Sequence, residues 1–363
     1  MNFHSPFTFT LDPIRRLLLI NITNDPDEVY IGFEPQVFDD PINGRGLAVI
    51  AYLKDGRIDV YHQPDVSLAG KDYNIVGKGL REQAERPMTG AHFDITLKGI
   101  DLDVAFDDLL GRPVVLRIHE AGGKPTRPFA ILAPMGNTVE RPPALPLFFL
   151  YDFYFVRRAG TELLISVDGR AYEPDSIPMI LDGSRVYFLR YAAMPFLINW
   201  NAAYDGILPV IETGATGGPV TYEWSEEGER PALVVMSIAH MDQTVAFRFD
   251  PPFPDVVTLP DNARLAGSLV IDAGIGGTVD GTYHVERSGD QVEITLNPSG
   301  GWAPGPVQWG ARLIFTLVPL FRKWPQTYLW RGRVDLSGEQ PRLVSAWERS
   351  AQAGQGAVKL FGK

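Results

Sequence analysis

Asp152 is the position in this 363-residue chain whose surroundings most suggest chemistry. It separates Leu147-Phe148-Phe149-Leu150-Tyr151 from Phe153-Tyr154-Phe155-Val156, together the most apolar run in the sequence. A carboxylate is costly to bury unless it is paired, and burial raises its pKa toward the range of a general acid. Asp152 is therefore the first candidate for a catalytic acid. The competing expectation is a structural ion pair with Arg157, Arg158 or another arginine. Arg117 and His119 make a second constellation, because alternation places them on one strand face, opposite Val114, Leu116 and Ile118. An arginine beside a histidine can hold an anionic or carbonyl group and relay a proton near neutrality. The same alternation also produces such pairs on any solvated strand face.

Mixtures of aromatic surface and hydrogen-bonding groups line small-molecule pockets. Tyr61-His62, preceded by Asp59, is one such mixture, and Asn199-Trp200-Asn201 with Tyr204-Asp205 is another. Trp302, Trp309 and Trp324 sit among glycine and proline, as platforms at the mouth of a cavity or as loop anchors packed on the core. The ligand-binding candidates are thus Tyr61, His62, Trp200, Asn201, Tyr204, Trp302 and Trp309. Asp101, Asp103 and Asp107 share a strand face. Neighbours at i and i+2 on a strand are too far apart to chelate a cation unaided, so a solvated acidic face is expected and no metal site.

Several classes of function are disfavoured. The chain has no cysteine, which removes disulfides, thiolate zinc sites, iron–sulfur clusters and cysteine nucleophiles. No phosphate loop, Gly-x-Ser-x-Gly elbow or His-Glu-x-x-His occurs. Gly214-Ala215-Thr216-Gly217-Gly218 and Gly274-Ile275-Gly276-Gly277 precede hairpin patterns rather than the helix a dinucleotide site needs, so both read as turns and no cofactor is expected. A net charge of -11 repels nucleic acid and anionic lipid, leaving small molecules or proteins as partners. The first residues lack a basic stretch followed by an apolar one, and no apolar run approaches the ~18 residues of a spanning helix. No membrane insertion and a cytoplasmic location are the expectations.

These candidates must be positioned by strands. Period-two alternation runs through Ala91-Lys98, Asp101-Asp107, Pro113-His119, Thr161-Val167, Arg185-Arg190, Leu233-Ile238, Thr244-Phe249, Gly281-Arg287, Gln291-Leu296, Arg312-Leu317 and Thr327-Leu336. Between such segments lie Asp55-Gly56, Asp168-Gly169, Asp182-Gly183, Ser288-Gly289-Asp290 and Ser337-Gly338, which suit tight hairpins. The pattern predicts an all-β chain, largely an antiparallel meander. Its best helix candidate is a short one over Gly79-Glu85. All seven tryptophans fall after residue 199, which suggests two units, 1–194 and a Trp-rich 195–363, with a competing boundary in the Pro-rich stretch 139–146. About ten strands a side would suffice for two barrels or barrel-like sandwiches. This strand census resembles that of two-domain lipocalin-like proteins, a group that includes carotenoid hydratase-type enzymes, although no signature residues accompany the likeness.

The resemblance implies a small, largely apolar molecule bound in a barrel cavity and isomerised, hydrated or cyclised by acid–base chemistry. Two other classes fit the composition. The tryptophans and acidic balance suit a carbohydrate-binding or carbohydrate-processing sandwich, which would need carboxylates paired at ~5–10 Å. Aromatic enrichment also suits a non-enzymatic interaction scaffold.

Overall fold

The computed structural model describes residues 2–122, 125–135, 139–213, 219–225, 230–306, 315, 321 and 323–350. Strand accounts for 64% of the described residues and helix for 4%, so the all-β expectation holds. No helix among the described residues is long and apolar enough to cross a membrane. The predicted hairpins are present where two successive residues adopt positive φ: Asp168 (52°) with Gly169 (75°), and Asp182 (49°) with Gly183 (78°). Aspartate tolerates this region and glycine enters it freely, so these turns are written locally.

The chain divides into two compact units assembled from separated segments. The first contains Met1–Asp12, Ala130–Phe149 and Leu197–Ala357, and the second contains Pro13–Phe129 and Leu150–Phe196. The chain passes from one to the other within two long strands, Leu145–Arg157 and Ser184–Trp200.

The first unit is built on a nine-stranded antiparallel meander. Its order is Tyr204–Ile207, Arg342–Arg349, Tyr328–Asp335, Gln291–Ala303, Thr278–Ser288, Arg264–Asp272, Gln243–Pro254, Ala232–His240 and Val220–Trp224. Trp347 and Phe247 lie on strands five places apart, about 24 Å in a flat sheet at ~4.8 Å per strand. Both nevertheless meet the Trp200 ring, at centroid distances of 5.3 Å and 5.0 Å. The sheet is therefore strongly curled around Trp200. Phe7 makes the same argument, touching Phe249 at 5.2 Å and Trp330 at 6.4 Å.

Among the described residues no sheet closes into a barrel. The sheet curls without hydrogen-bonded closure, because no ladder among the described residues joins Tyr204–Ile207 to Val220–Trp224. The segment between those edges, Val210–Glu212, pairs with Asn2–His4 instead.

The second unit is a sandwich. One sheet runs Ser184–Trp200, Ile14–Asn21, Tyr30–Asp40, Gly44–Leu53, Ile58–His62 and Leu80–Glu85. The other runs Arg170–Ala171, Thr161–Val167, Pro113–Glu120, Gly99–Asp107 and Thr89–Thr96. Inward residues of both, among them Leu18, Phe33, Val49, Leu102, Leu116 and Leu189, form one buried cluster. The predicted helix at Gly79-Glu85 is instead the strand Leu80–Glu85, paired in parallel with Ile58–His62. Its polar residues reflect an edge position, where one side of the ladder is free, rather than a solvated helix. The strand expected over Arg312-Leu317 lies outside the described residues, apart from Phe315.

Candidate functional site

The outer face of the larger sheet in the second unit holds a cluster of polar groups in apolar surroundings. Ladder register places Arg190 opposite Leu19 and Leu17 opposite Gln36. It also pairs Glu34 with Ile50, Gln36 with Ala48 and Gly32 with Tyr52. Directly paired residues share a face, so Arg190, Leu19, Leu17, Glu34, Gln36 and Tyr52 lie on the side facing away from the sandwich core. Ile58 and Val60 continue this face and pack with Ile50 and Tyr73, the last supplied by the 3-10 turn Gly70–Ile75.

Glu34 and Gln36 are buried at 4% and 3% exposure, whereas Leu19, Asn21, Tyr52, Phe188 and Arg190 are half-buried and form the rim. Both Glu34 oxygens accept hydrogen bonds, Oε1 from Gln36 Nε2 at 2.9 Å and Oε2 from the Tyr52 hydroxyl. Burial pushes the Glu34 carboxyl above the ordinary range, against the Tyr52 and Gln36 hydrogen bonds and the Arg190 charge. Burial likewise raises the Tyr52 phenol, aided by the Glu34 charge, and pulls the Arg190 guanidinium down to about 10. Arg190 stays a cation at neutral pH. Its Nη2 donates to Asn21 Oδ1, and its guanidinium lies 3.8 Å from the Phe188 ring centroid. Arg190 Nε and Gln36 Oε1 are buried without partners. An acid with a raised pKa, a tyrosine bonded to it and an adjacent cation are the parts of a general acid–base site.

The residues expected from sequence are dispersed. His62 is on the same face, paired with Ala48, and its Nδ1 lies 3.0 Å from the Gln63 carbonyl. Tyr61 points to the opposite side, into a buried network. Its hydroxyl lies 2.8 Å from that of Tyr30, which donates to Asp108 at 3.2 Å. Burial, with the Asp59 and Asp108 charges, pushes Tyr61 up to about 12. Arg117 pairs with Asp103 at 2.9 Å and His119 with Asp101 at 3.3 Å, on the exposed face of the five-stranded sheet.

In the first unit, Trp200 is fully buried, and its carbonyl accepts from Trp347 Nε1 at 3.0 Å. Asn201 is buried and accepts from the Thr8 amide at 2.9 Å. The Tyr204 hydroxyl donates to the Ile207 carbonyl at 2.7 Å. Trp302 is 3% exposed and donates to the Gly276 carbonyl at 2.8 Å, the geometry of a packed anchor. Trp309 lies outside the described residues.

Asp152 is half-buried at a φ of 46°, and burial alone raises its pKa. Among the described residues it has no ion pair with Arg157, which donates to the Pro125 carbonyl, or with Arg158, which covers the Tyr187 ring. Its charge acts on Tyr154, which stacks on Tyr191 at 4.9 Å. The folded state holds the Asp152 proton to higher pH than the unfolded chain does. Stability is therefore expected to fall as pH rises from about 3.8 through the folded value. Asp152→Asn, which tolerates the left-handed backbone, should remove that decline and equal or exceed the parent in urea at neutral pH. A clear loss of stability in the variant would show that the carboxylate has a compensating partner.

Sequence reasoning missed Glu34, although a partial signal was present: a carboxylate directly after the apolar run Val29-Tyr30-Ile31-Gly32-Phe33. The following Pro35 obscured it, because proline argues against a central strand. Comparison with known protein families, with functionally described proteins and with solved structures returned no match.

Proposed function

We propose that the protein binds a small, largely apolar molecule on the outer face of the larger sheet in its second unit, with acid–base chemistry available at Glu34. The observation that carries this reading is a buried carboxyl, held by Tyr52 and Gln36 beside Arg190, among Leu17, Leu19 and Ile50 with two buried polar atoms unpartnered. Buried valences of this kind are normally filled by water or ligand. Isomerisation, hydration or cyclisation would use Glu34 as the proton donor or acceptor and Arg190 to stabilise negative charge on oxygen. Asp152 is a second acid within the same unit. The strand census, which resembles that of lipocalin-like proteins, supports an apolar ligand by architecture alone. The net charge of -11 favours small molecules over nucleic acid, and a cytoplasmic setting belongs to the same proposal.

The test is titration with N-phenyl-1-naphthylamine, an uncharged dye whose emission rises in apolar surroundings. Saturable binding is expected. Leu19→Gln should weaken it about tenfold, since it exchanges part of a half-buried apolar contact for a polar group. Absence of saturable binding, or equal binding by the variant, would remove this reading.

A further inference from the structure

We propose that the Glu34 face selects ligands that present an uncharged oxygen, above all a hydroxyl, and that Glu34 is the residue that turns carboxylates away. The inference rests on the apolar-ligand reading above and names the chemistry of the ligand's polar end.

Its basis is the set of valences left open. Arg190 is a half-buried cation whose charge acts on Glu34, and Glu34 accepts at both oxygens in the manner of a carboxylate. The two charges compensate each other, so the face does not require an anion. Among the buried side-chain atoms of this cluster one donor and one acceptor lack a partner. The donor is Arg190 Nε, on a guanidinium whose Nη2 donates to Asn21 and which lies over the Phe188 ring. The acceptor is Gln36 Oε1, whose identity is set by Nε2 donating to Glu34. Gln36 is 3% exposed, so an unfilled valence there carries a real desolvation penalty.

A hydroxyl both donates and accepts, and can fill either position. A carboxylate only accepts. It would leave the Gln36 Oε1 valence unfilled, and it would bring a second negative charge beside Glu34 where water screens poorly. The apolar body of the ligand would lie along the half-buried rim of Leu19, Tyr52 and Phe188.

Geraniol and geranate test the idea, since they share one hydrocarbon body and differ in the oxygenated end. Each is used to displace N-phenyl-1-naphthylamine from the full-length protein at about pH 7.5. Geraniol is expected to compete at least about tenfold more effectively. Glu34→Gln leaves Arg190 uncompensated and should reverse the order. Gln36→Leu should weaken geraniol about tenfold and leave geranate unchanged. Geranate competing as well as geraniol against the parent protein overturns the inference, and that comparison stands even if the variants do not fold. An unchanged order in a folded Glu34→Gln protein overturns it too. If the dye itself does not bind, the apolar-ligand reading fails and this inference with it. Dye binding with equal displacement sinks the head-group selection alone.

Discussion

Replacing Arg112 with Ala is expected to cost about 3–5 kcal/mol of stability at neutral pH, because it strands two buried carboxylates. Arg112 donates through Nε to Asp108 at 2.9 Å and through its terminal nitrogens to Asp27 at 3.2 and 3.3 Å. Asp108 and Asp27 side chains are 0% and 3% exposed, so water cannot replace the lost partner. The network continues through the Tyr172 hydroxyl, which donates to Asp27 at 2.9 Å, and through Tyr30 and Tyr61 toward Asp59, which Arg81 holds. Burial pushes the Asp27 carboxyl up. Hydrogen bonds from the Val29 amide, Tyr172 and Arg112, with the Arg112 charge, outweigh that and hold it below its ordinary value.

In the parent protein, Asp27 therefore contributes stability above about pH 3.8 that is lost as pH falls through its lower folded value. Without Arg112 the same burial acts unopposed by the cation. The deficit should be largest near neutrality and should shrink on acidification, as the stranded carboxyls take up protons. Urea denaturation at neutral pH and at about pH 4.5 measures both the size and the trend. A cost below about 1 kcal/mol, or one independent of pH, would show that Asp27 and Asp108 are adequately solvated without Arg112.

Replacing Trp200 with Ala is expected to cost about 3–5 kcal/mol, the usual range for deleting a buried aromatic ring. Trp200 is the point at which the curled sheet of the first unit closes on itself through side chains. Phe247, Trp347 and Phe9 all lie against it, Phe9 stacked within 3° of parallel. Removing the ring leaves a void between strands that are distant in sheet order, so collapse would have to flatten or tighten the whole curl. Trp200→Phe should cost far less, about 1–2 kcal/mol, because an aromatic body remains and the deleted indole N–H has no partner. If the two variants were equally unstable, the indole nitrogen rather than the ring's volume would be the stabilising element.

Several features were legible in the chain because they depend only on neighbours in sequence. Alternation with a period of two identified the strand Thr161–Val167 to the residue and Gly99–Asp107 to within two positions. Aspartate–glycine pairs marked the hairpins at 168–169 and 182–183, since the left-handed backbone is a local demand. The isolation of Asp152 within an aromatic run was likewise visible from composition alone.

What joins distant segments was not visible. Alternation states that a strand has two faces and not which face meets which partner, so Glu34, Tyr52 and Arg190 became neighbours only through the registers of three ladders. The tryptophans signalled unequal halves, and all six that the structure describes do lie in the first unit. Yet that unit gathers segments from both ends and the middle of the chain, a choice made by long-range burial. The strand Leu80–Glu85 shows the same limit at small scale, because its polar pattern acquires meaning only from the parallel edge it occupies. Curling without closure was also a tertiary decision: Val210–Glu212, which lies between the two edge strands in sequence, pairs with Asn2–His4, some two hundred residues away.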